Sequence, residues 1–256
     1  MKRNIIFVAL LAFGLLAVAG CSSGNKPNIN RPANRPVTQS TVNPSAPTGA
    51  QPPNMLGNPN ATVMIEEFAD FQCPTCAQIH TLMKEVQAAY GSRIKFIFRS
   101  FPLTQIHRNA FDAAVAAESA GRQGKYWDMQ NLLFQNQTAW SNSADPRPVF
   151  EGYAQTLGVD VERFKADMAG METKERVQRD LDRGRALNIN STPTIFINGM
   201  MVPFEQMKLQ PLREIIDAEL AKNPPPQQTV APSSGSSSTS NANTAKPSPD
   251  KDGAKN

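Results

Sequence analysis

The chain has 256 residues, of which 40% are hydrophobic, enough for one folded core with residues left over for tails. Its formal charge of +4 is small, and acidic and basic residues alternate through the middle of the chain without forming a basic block. This charge pattern argues against a nucleic-acid-binding protein. Three cysteines are too few for a framework of structural disulfides.

The first twenty residues have the features of an export signal. A basic start, Met1-Lys2-Arg3, precedes an apolar stretch over residues 5–18 that is too short for a comfortable membrane span. Val18-Ala19-Gly20-Cys21 follows and resembles the lipobox of bacterial lipoproteins, in which the cysteine thiol receives a diacylglyceryl group. We therefore predict a lipoprotein signal peptide over 1–20 and lipidation at Cys21.

This signal also predicts the compartment. A lipidated protein would be held on a bacterial membrane outside the cytoplasm, on the periplasmic side or at the cell surface. An ordinary cleaved signal with an incidental cysteine is the alternative. Either signal directs the protein to a compartment where disulfides form and persist.

Two polar segments flank the predicted folded domain. Residues 21–55 are rich in Asn, Pro, Ser, Thr and Gln, and this composition predicts a flexible, lipid-anchored linker. Residues 223–256 begin near a run of three prolines and continue with Ser, Asn, Ala and Lys, which predicts a disordered tail. The folded domain is therefore predicted over 56–222.

Periodicity and turn residues predict the elements of this domain. In chain order they are a strand over 62–68, a helix over 74–90, a strand over 93–98, a helical block over about 105–187, a hairpin of strands over 194–197 and 200–202, and a helix over 209–220. Pro74 would lie in the first turn of its helix, where proline is well tolerated. Asn198-Gly199 is typical of a two-residue hairpin.

Cys73-Pro74-Thr75-Cys76 is the motif with the clearest chemistry. Two thiols three residues apart at the start of a helix face the same way and can close a small disulfide ring that carries two electrons. Half of a zinc site is the alternative, but zinc would need two more Cys or His ligands. Besides the pair the chain offers only Cys21, His80 and His107. We therefore expect a redox pair and no metal.

Three blocks of sequence resemble the DsbA-like thiol–disulfide oxidoreductases. They are Glu67-Phe68-Ala69-Asp70-Phe71-Gln72-Cys73-Pro74-Thr75-Cys76, then Phe101-Pro102-Leu103 with His107 and Gly124-Lys125-Tyr126-Trp127, and finally Asn190-Ser191-Thr192-Pro193-Thr194-Ile195-Phe196-Ile197-Asn198-Gly199. The resemblance covers about 58–221. It implies an α/β protein with a thioredoxin-like fold of the DsbA type, in which a helical subdomain is inserted over about 105–187. No nicotinamide, flavin or metal motif is visible, so we expect no cofactor.

The resemblance also implies roles for the site residues. Cys73 would be the exposed attacking thiol, with a pKa lowered by its place at the helix N-terminus. Cys76 would be more buried and would resolve the mixed disulfide. Pro193 would follow a cis peptide bond that sets the backbone beside the cysteines, although an ordinary proline opening a strand is the alternative. The predicted substrate-binding residues are Pro74, Thr75 and Thr192.

Glu67 is the candidate proton carrier. It precedes Cys73 by six residues, and the resemblance implies a carboxylate beneath the disulfide that helps to move the proton of the buried thiol. Burial would raise the pKa of such a group. Glu66 is its neighbour, and strand alternation lets only one of the two face inward. We favour Glu67, and the alternative is that it faces solvent.

These features predict a lipid-anchored oxidase of thiols in exported polypeptides, acting as a monomer. A quinone-linked membrane thiol oxidase, of the DsbB or vitamin-K-reductase-like type, would reoxidise it. A monomeric reductase or isomerase of the same fold is an alternative, and so is a non-catalytic binding or chaperone lipoprotein. Thr75 stands where strongly oxidising relatives have His, so a weaker oxidant is expected.

Overall fold

A computed structural model of the protein describes residues 42–224. The predicted signal peptide over 1–20, the lipidation site Cys21 and the tail from residue 225 onward lie outside these residues. Within the described range, no helix has the length and apolar character needed to cross a bilayer.

A mixed five-stranded sheet forms the centre of the described domain. Its strands are β1 (Asn54–Gly57), β2 (Val63–Ala69), β3 (Ile94–Ser100), β4 (Thr194–Ile197) and β5 (Met200–Met201). They lie in the order β1-β3-β2-β4-β5, with β2 and β3 parallel and the other neighbours antiparallel. Nearly every residue of β2 is buried, because this central strand is covered on both faces.

Helices cover both faces of the sheet. In chain order they are α1 (Pro74–Tyr90), α2 (Ala110–Gly121), α3 (Tyr126–Gln135), α4 (Gln137–Trp140), α5 (Arg147–Thr156), α6 (Val161–Ala169), α7 (Met171–Ala186) and α8 (Leu209–Lys222). The helical block between β3 and β4 confirms the predicted insertion into a thioredoxin-like α/β fold. The predicted strands and helices are found within a few residues of their expected bounds, but β1 and α4 were not predicted.

Side-chain alternation along β3 assigns helices to the two faces of the sheet. Phe98 points to one face and packs edge-on against Phe134 of α3. His80 of α1 stacks on the same Phe134, with ring centroids 4.8 Å apart, so α1 and α3 share this face. Arg99, the next residue along β3, points to the other face and reaches Asp180 of α7 at 2.9 Å. The sheet therefore separates α1 and α3 from α7.

The N-terminal boundary of the domain differs from the prediction. Residues 42–53, here called the strap, were assigned to the flexible linker over 21–55, but they pack against the α7 face, and β1 pairs with β3. Arg99 and Arg183 donate hydrogen bonds to the strap, at the carbonyl oxygens of Pro47, Thr48 and Ala50. Composition gave no sign of this packing because the strap is held through its backbone rather than through large apolar side chains. The linker prediction is therefore corrected for residues 42–55.

Candidate active site

The two cysteines stand at the N-terminus of α1, directly after the loop that leaves β2. Cys73 is the N-cap residue and Pro74 lies in the first turn. Both cysteines are free thiols; Cys76, one turn further in, is fully buried, and Cys73 is 7% exposed. The predicted order of accessibility is found, but the Cys73 sulfur is more enclosed than the expected exposed nucleophile, because a neighbouring loop lies against it.

The surroundings of the two thiols shift their pKa values in opposite directions. A hydrogen bond from the Cys76 thiol, helped by backbone N–H groups of Cys76 and Thr75, lowers the pKa of Cys73 to about 5 against the cost of its burial. Burial, and then the neighbouring Cys73 thiolate, raises the pKa of Cys76 far above its ordinary value. At neutral pH, Cys73 is therefore a thiolate and Cys76 holds its proton.

The loop over Cys73 contains the predicted cis-proline. The peptide bond between Thr192 and Pro193 is cis, and the Thr192 carbonyl oxygen lies 3.5 Å from Cys73 Sγ. Pairing of β4 with β2, in which Thr194 lies opposite Phe68, places this loop beside the cysteines. The alternative that Pro193 is an ordinary proline at the start of a strand is therefore not supported, because its peptide bond is cis and Thr192 contacts Cys73.

Glu67 is buried on the face of the sheet that α1 covers. Only 2% of the residue is exposed, and its Oε1 has no hydrogen-bond partner within residues 42–224. Burial raises the pKa of Glu67 to about 8. The carboxyl group is therefore mostly protonated near neutral pH, as a carrier of protons inside the domain would need to be.

Glu66 points to the α7 face, as strand alternation requires, but it does not face solvent. It accepts hydrogen bonds from Arg99 and from both Nε and Nη2 of Arg183. Burial opposes ionisation, yet the hydrogen bonds and charges of Arg183 and Arg99 outweigh it and lower the pKa of Glu66. The assumption that only one of the two glutamates is enclosed was wrong because both faces of β2 are covered.

Asp70 organises the loop before Cys73, a role that the sequence reasoning missed. Its buried carboxylate accepts hydrogen bonds from the backbone N–H groups of Gln72 and Leu103. Its Oδ2 also lies 2.8 Å from Nδ1 of His107. The available signal was an aspartate at the end of a buried strand, three residues before a cysteine.

Gln137 holds the same loop from the helical subdomain. Its Nε2 donates to the carbonyl oxygens of Phe71, at 2.8 Å, and Cys73, at 3.0 Å. His80 contributes no visible chemistry, since it is buried against Phe134 and hydrogen-bonded to Asn131. Within the described part of the chain, no group of three or more His, Cys, Asp or Glu side chains is placed to bind a metal ion.

The sequence profile of the family described as thioredoxin matches residues 50–218. The chain belongs to the thioredoxin family. Within the described residues, a CxxC pair stands at a helix N-terminus beside a cis-proline loop.

Solved structures specify the fold further. BdbD from Bacillus subtilis, in its oxidised form, has a TM-score of 0.60 at 23% identity over 69% of this chain and 98% of that one. The α-DsbA1 protein of Wolbachia pipientis has a TM-score of 0.57 at 20% identity over 67% of this chain and 92% of that one. A thioredoxin-like oxidoreductase from Silicibacter pomeroyi has a TM-score of 0.54 at 25% identity over 69% and 92% of the two chains. The predicted DsbA-type fold is confirmed.

Curated relatives match over part of their length. The Na⁺/H⁺ antiporter NhaA 1 of Mycolicibacterium gilvum is 36% identical over 150 residues, which are 57% of this chain and 23% of the antiporter. NhaA 1 of Salinispora arenicola is 32% identical over 164 residues, 64% of this chain and 24% of the antiporter. The chain therefore spans about a quarter of the length of these relatives. The antiport activity in their names belongs to those longer proteins.

Proposed function

We propose that the protein is an extracytoplasmic thiol–disulfide oxidoreductase that introduces disulfides into exported polypeptides through Cys73 and Cys76. The observation that carries the proposal is the opposite pKa shift of the two thiols beside the Thr192 carbonyl. A stabilised Cys73 thiolate is a good leaving group, and it favours the reduced dithiol over the disulfide. Membership of the thioredoxin family supports the same class of chemistry.

The reaction transfers two electrons from a pair of substrate thiols to the disulfide form of the protein. A substrate thiolate attacks Cys73 Sγ, the bond between Cys73 and Cys76 breaks, and Cys76 leaves with the electron pair and takes up a proton. The second substrate thiolate then attacks the substrate sulfur of the mixed disulfide and expels Cys73 as a thiolate. The substrate leaves with a disulfide, and the protein is left as a dithiol.

Glu67 would serve proton transfer to and from Cys76. Its pKa of about 8 and its burial on the α1 face support this role, because the carboxyl group can give or take a proton without leaving the interior. Pro74, Thr75 and Thr192 surround Cys73 and would contact the substrate chain beside its cysteine.

We further propose that lipid on Cys21 anchors the domain to the outer side of a membrane. The twenty residues between Cys21 and the strap can span at most about 70 Å when fully extended, enough to let the site meet emerging polypeptides. Reoxidation would fall to a quinone-linked membrane thiol oxidase of the DsbB or vitamin-K-reductase-like type. The lipobox-like sequence supports this placement.

The test is a stoichiometric oxidation. Oxidised protein is mixed with a reduced, unfolded polypeptide that contains two cysteines, and the loss of free thiols is followed. We expect one substrate disulfide for each protein molecule, and none with Cys73→Ser. If the oxidised protein leaves the thiols intact while the reduced protein cleaves the disulfide of the same polypeptide, the reductase alternative replaces the proposal.

A further inference from the structure

We propose that Gln137 is a positioning residue for the redox pair, which fixes the backbone of Cys73 so that the Cys73 sulfur stays beside the donors that stabilise its thiolate. This inference rests on the proposed function and adds a residue of the helical insertion to that site. Gln137 lies outside the three blocks of sequence that resemble the DsbA-like enzymes. Its role is therefore argued from the contacts of its side chain alone.

In the described part of the chain, three hydrogen bonds hold the backbone of Cys73, and one of them comes from the helical insertion. The Cys73 N–H donates to the carbonyl oxygen of Asp70 at 3.1 Å, and the Cys73 carbonyl oxygen accepts the N–H of Ala77 at 3.2 Å. Gln137 Nε2 donates to the same carbonyl oxygen at 3.0 Å. The next residue, Pro74, has no N–H with which to add a further bond. The contact from Gln137 is therefore a large part of what fixes this residue.

The amide group of Gln137 also fixes the peptide bond before Cys73. Its Nε2 donates to the carbonyl oxygen of Phe71 at 2.8 Å, and an amide nitrogen has two N–H groups, so both bonds can form together. The N–H of Gln72, on the other side of that peptide bond, donates to the Asp70 carboxylate at 2.7 Å. The turn that enters α1 is therefore held from the helical insertion on one side and from its own aspartate on the other.

Helix α4 places the Gln137 side chain in a defined position. Gln137 is the first residue of α4, which follows the end of α3 at Asn136. Trp140, at the end of α4, is fully buried. Its Nε1 donates to the carbonyl oxygen of Leu133 at 3.0 Å, and its ring packs edge-on against Phe150. This anchor makes the four-residue helix a firm support from which a side chain can hold the redox loop.

A second amide side chain joins the same two segments independently of Gln137. Gln72 Nε2 donates to the carbonyl oxygen of Ser141, and Gln72 Oε1 accepts the N–H of Asn109, both at 2.8 Å. The Asn109 side chain in turn donates to three carbonyl oxygens at and after the end of α4. These bonds keep the redox loop and α4 together when the Gln137 amide is removed. Such a removal therefore frees the Cys73 backbone without detaching the helical insertion.

The position of the Cys73 backbone matters because each donor to its sulfur has a fixed place. The Cys76 thiol is the main donor, and the backbone N–H groups of Cys76 and Thr75 assist it in lowering the pKa of Cys73 to about 5. Hydrogen bonds weaken steeply as they lengthen and bend. A Cys73 released by Gln137 should hold these bonds for less of the time, so its pKa should rise. Cys73 would then be a poorer leaving group when the bond between its sulfur and the substrate sulfur breaks.

The experiment replaces Gln137 by Met, which keeps the length of the side chain and removes the donor. The pKa of Cys73 is read from the thiolate absorbance of the reduced full chain, and the equilibrium of the oxidised chain with reduced glutathione is measured at pH 7. We expect Gln137→Met to raise the pKa of Cys73 by about half a unit to one unit. The equilibrium constant for oxidation of glutathione should fall by about threefold to tenfold, because the reduced protein loses the same stabilisation.

Gln137→Asn is a second variant that keeps the amide group. Its side chain is shorter by one methylene group, so the amide cannot reach both carbonyl oxygens. It should raise the pKa of Cys73 in the same direction as Gln137→Met, which separates the position of the donor from the polarity of the side chain. An unchanged pKa and an unchanged glutathione equilibrium in both variants would overturn the proposal.

Gln123→Met is the matched control. The Gln123 side chain also bridges main-chain groups, since it donates to the carbonyl oxygen of Asp160 and accepts the N–H of the same residue, but it does so between the end of α2 and the start of α6. This variant should lose a similar amount of stability in thermal unfolding and leave the pKa of Cys73 unchanged. An equal pKa shift in Gln123→Met would show general loosening and contradict a specific role for Gln137. A wild-type Cys73 with the pKa of a free thiol would instead contradict the proposed function.

Discussion

Cys73 and Cys76 carry the same functional group, and their surroundings alone assign them different roles. Cys73 receives the hydrogen bond of Cys76 and backbone N–H groups at the start of α1, whereas Cys76 is fully buried beneath it. A pKa of about 5 in place of 9 stabilises the reduced form at pH 7 by about 3 kcal/mol. For a two-electron couple this corresponds to about 60 mV in the oxidising direction.

The pKa of Cys73 should depend on what occupies position 76. In Cys76→Ser, a hydroxyl group can still donate to the thiolate, and we expect a pKa clearly below the free-thiol value of about 8.5. Cys76→Ala removes the donor, and the pKa of Cys73 should be higher than in Cys76→Ser. Titration of the ultraviolet thiolate absorbance measures both. A pKa at or above the free-thiol value in Cys76→Ser would contradict the assignment of Cys73 as the nucleophile.

Glu67 should make the stability of the protein depend on pH. The pKa of Glu67 is about 8 in the folded state and has the ordinary value of 4.5 when the chain is unfolded. Between pH 4.5 and 8 the folded state therefore binds more protons than the unfolded state, and the free energy of unfolding falls as the pH rises through this range. Glu67→Gln removes this loss and should be more stable than the wild-type protein above pH 8, by up to about 5 kcal/mol. Thermal unfolding at acidic and alkaline pH measures the difference, and thiol exchange should be slower in the variant.

Glu66→Gln is the matched control for that experiment. It replaces a carboxylate held by Arg99 and Arg183, and leaving buried guanidinium groups without their anion costs about 3–5 kcal/mol. The control should therefore lower stability across the neutral range. Equal pH profiles for Glu67→Gln and the wild-type protein would show that Glu67 is not the buried proton carrier.

At the scale of structural elements, the strap is a segment whose packing hydropathy did not reveal. Three arginines hold its backbone: Arg99, Arg176 and Arg183 donate to carbonyl oxygens between Pro47 and Pro52. Asp180 of α7 accepts the N–H of Ala50. The strap therefore links β3 and α7 through hydrogen bonds on the face of the sheet that α7 covers.

Gly49 is the position at which the strap tolerates least change. Its φ is +77°, and a Cβ there would lie 2.8 Å from Arg99 Nη1 and from Asp180 Oδ1. Gly49→Ala should therefore destabilise the domain by at least about 1–2 kcal/mol and make the strap more sensitive to proteolysis. Gly152→Ala in α5, where a Cβ meets open space, should be neutral or stabilising by about 0.5–1 kcal/mol. Similar melting temperatures for the two variants would contradict the account of the strap.

The longer elements and the hairpin with its own turn signal could be predicted from the sequence, whereas two short elements without such a signal, β1 and α4, could not. Helices such as α1 and α7 carry several turns of periodic pattern, and the Asn198-Gly199 turn specifies its hairpin locally. β1 and α4 have four residues each, too few for a period to be visible. Whether a segment packs through its backbone, as the strap does, depends on arginines far away in the sequence.

At the scale of the whole molecule, the candidate site also has parts that local sequence predicts and parts that depend on contacts between distant residues. The CxxC pair and the cis-proline loop are local motifs, and the resemblance identified both. The polar framework is non-local: Gln137 is 64 residues from Cys73, and Leu103 is 33 residues from Asp70. No local pattern indicates such pairs, so only the folded structure could bring them together.

Membrane association should depend on the residues before the strap. If Cys21 carries the lipid, Cys21→Ser should yield a protein that no longer fractionates with membranes while its domain still exchanges thiols. Cell fractionation followed by detection of the protein measures this. Unchanged membrane association would show that something other than lipid on Cys21 holds the protein there.

The reduction potential of the Cys73–Cys76 couple tests the central claim most directly. Equilibration with glutathione redox buffers, with thiol alkylation to separate the two forms, gives the value. The lowered pKa of Cys73 favours a potential above that of thioredoxin, and we expect a value between those of thioredoxin and DsbA, about −270 and −120 mV. A potential at or below that of thioredoxin would contradict the account and would make the protein a reductase.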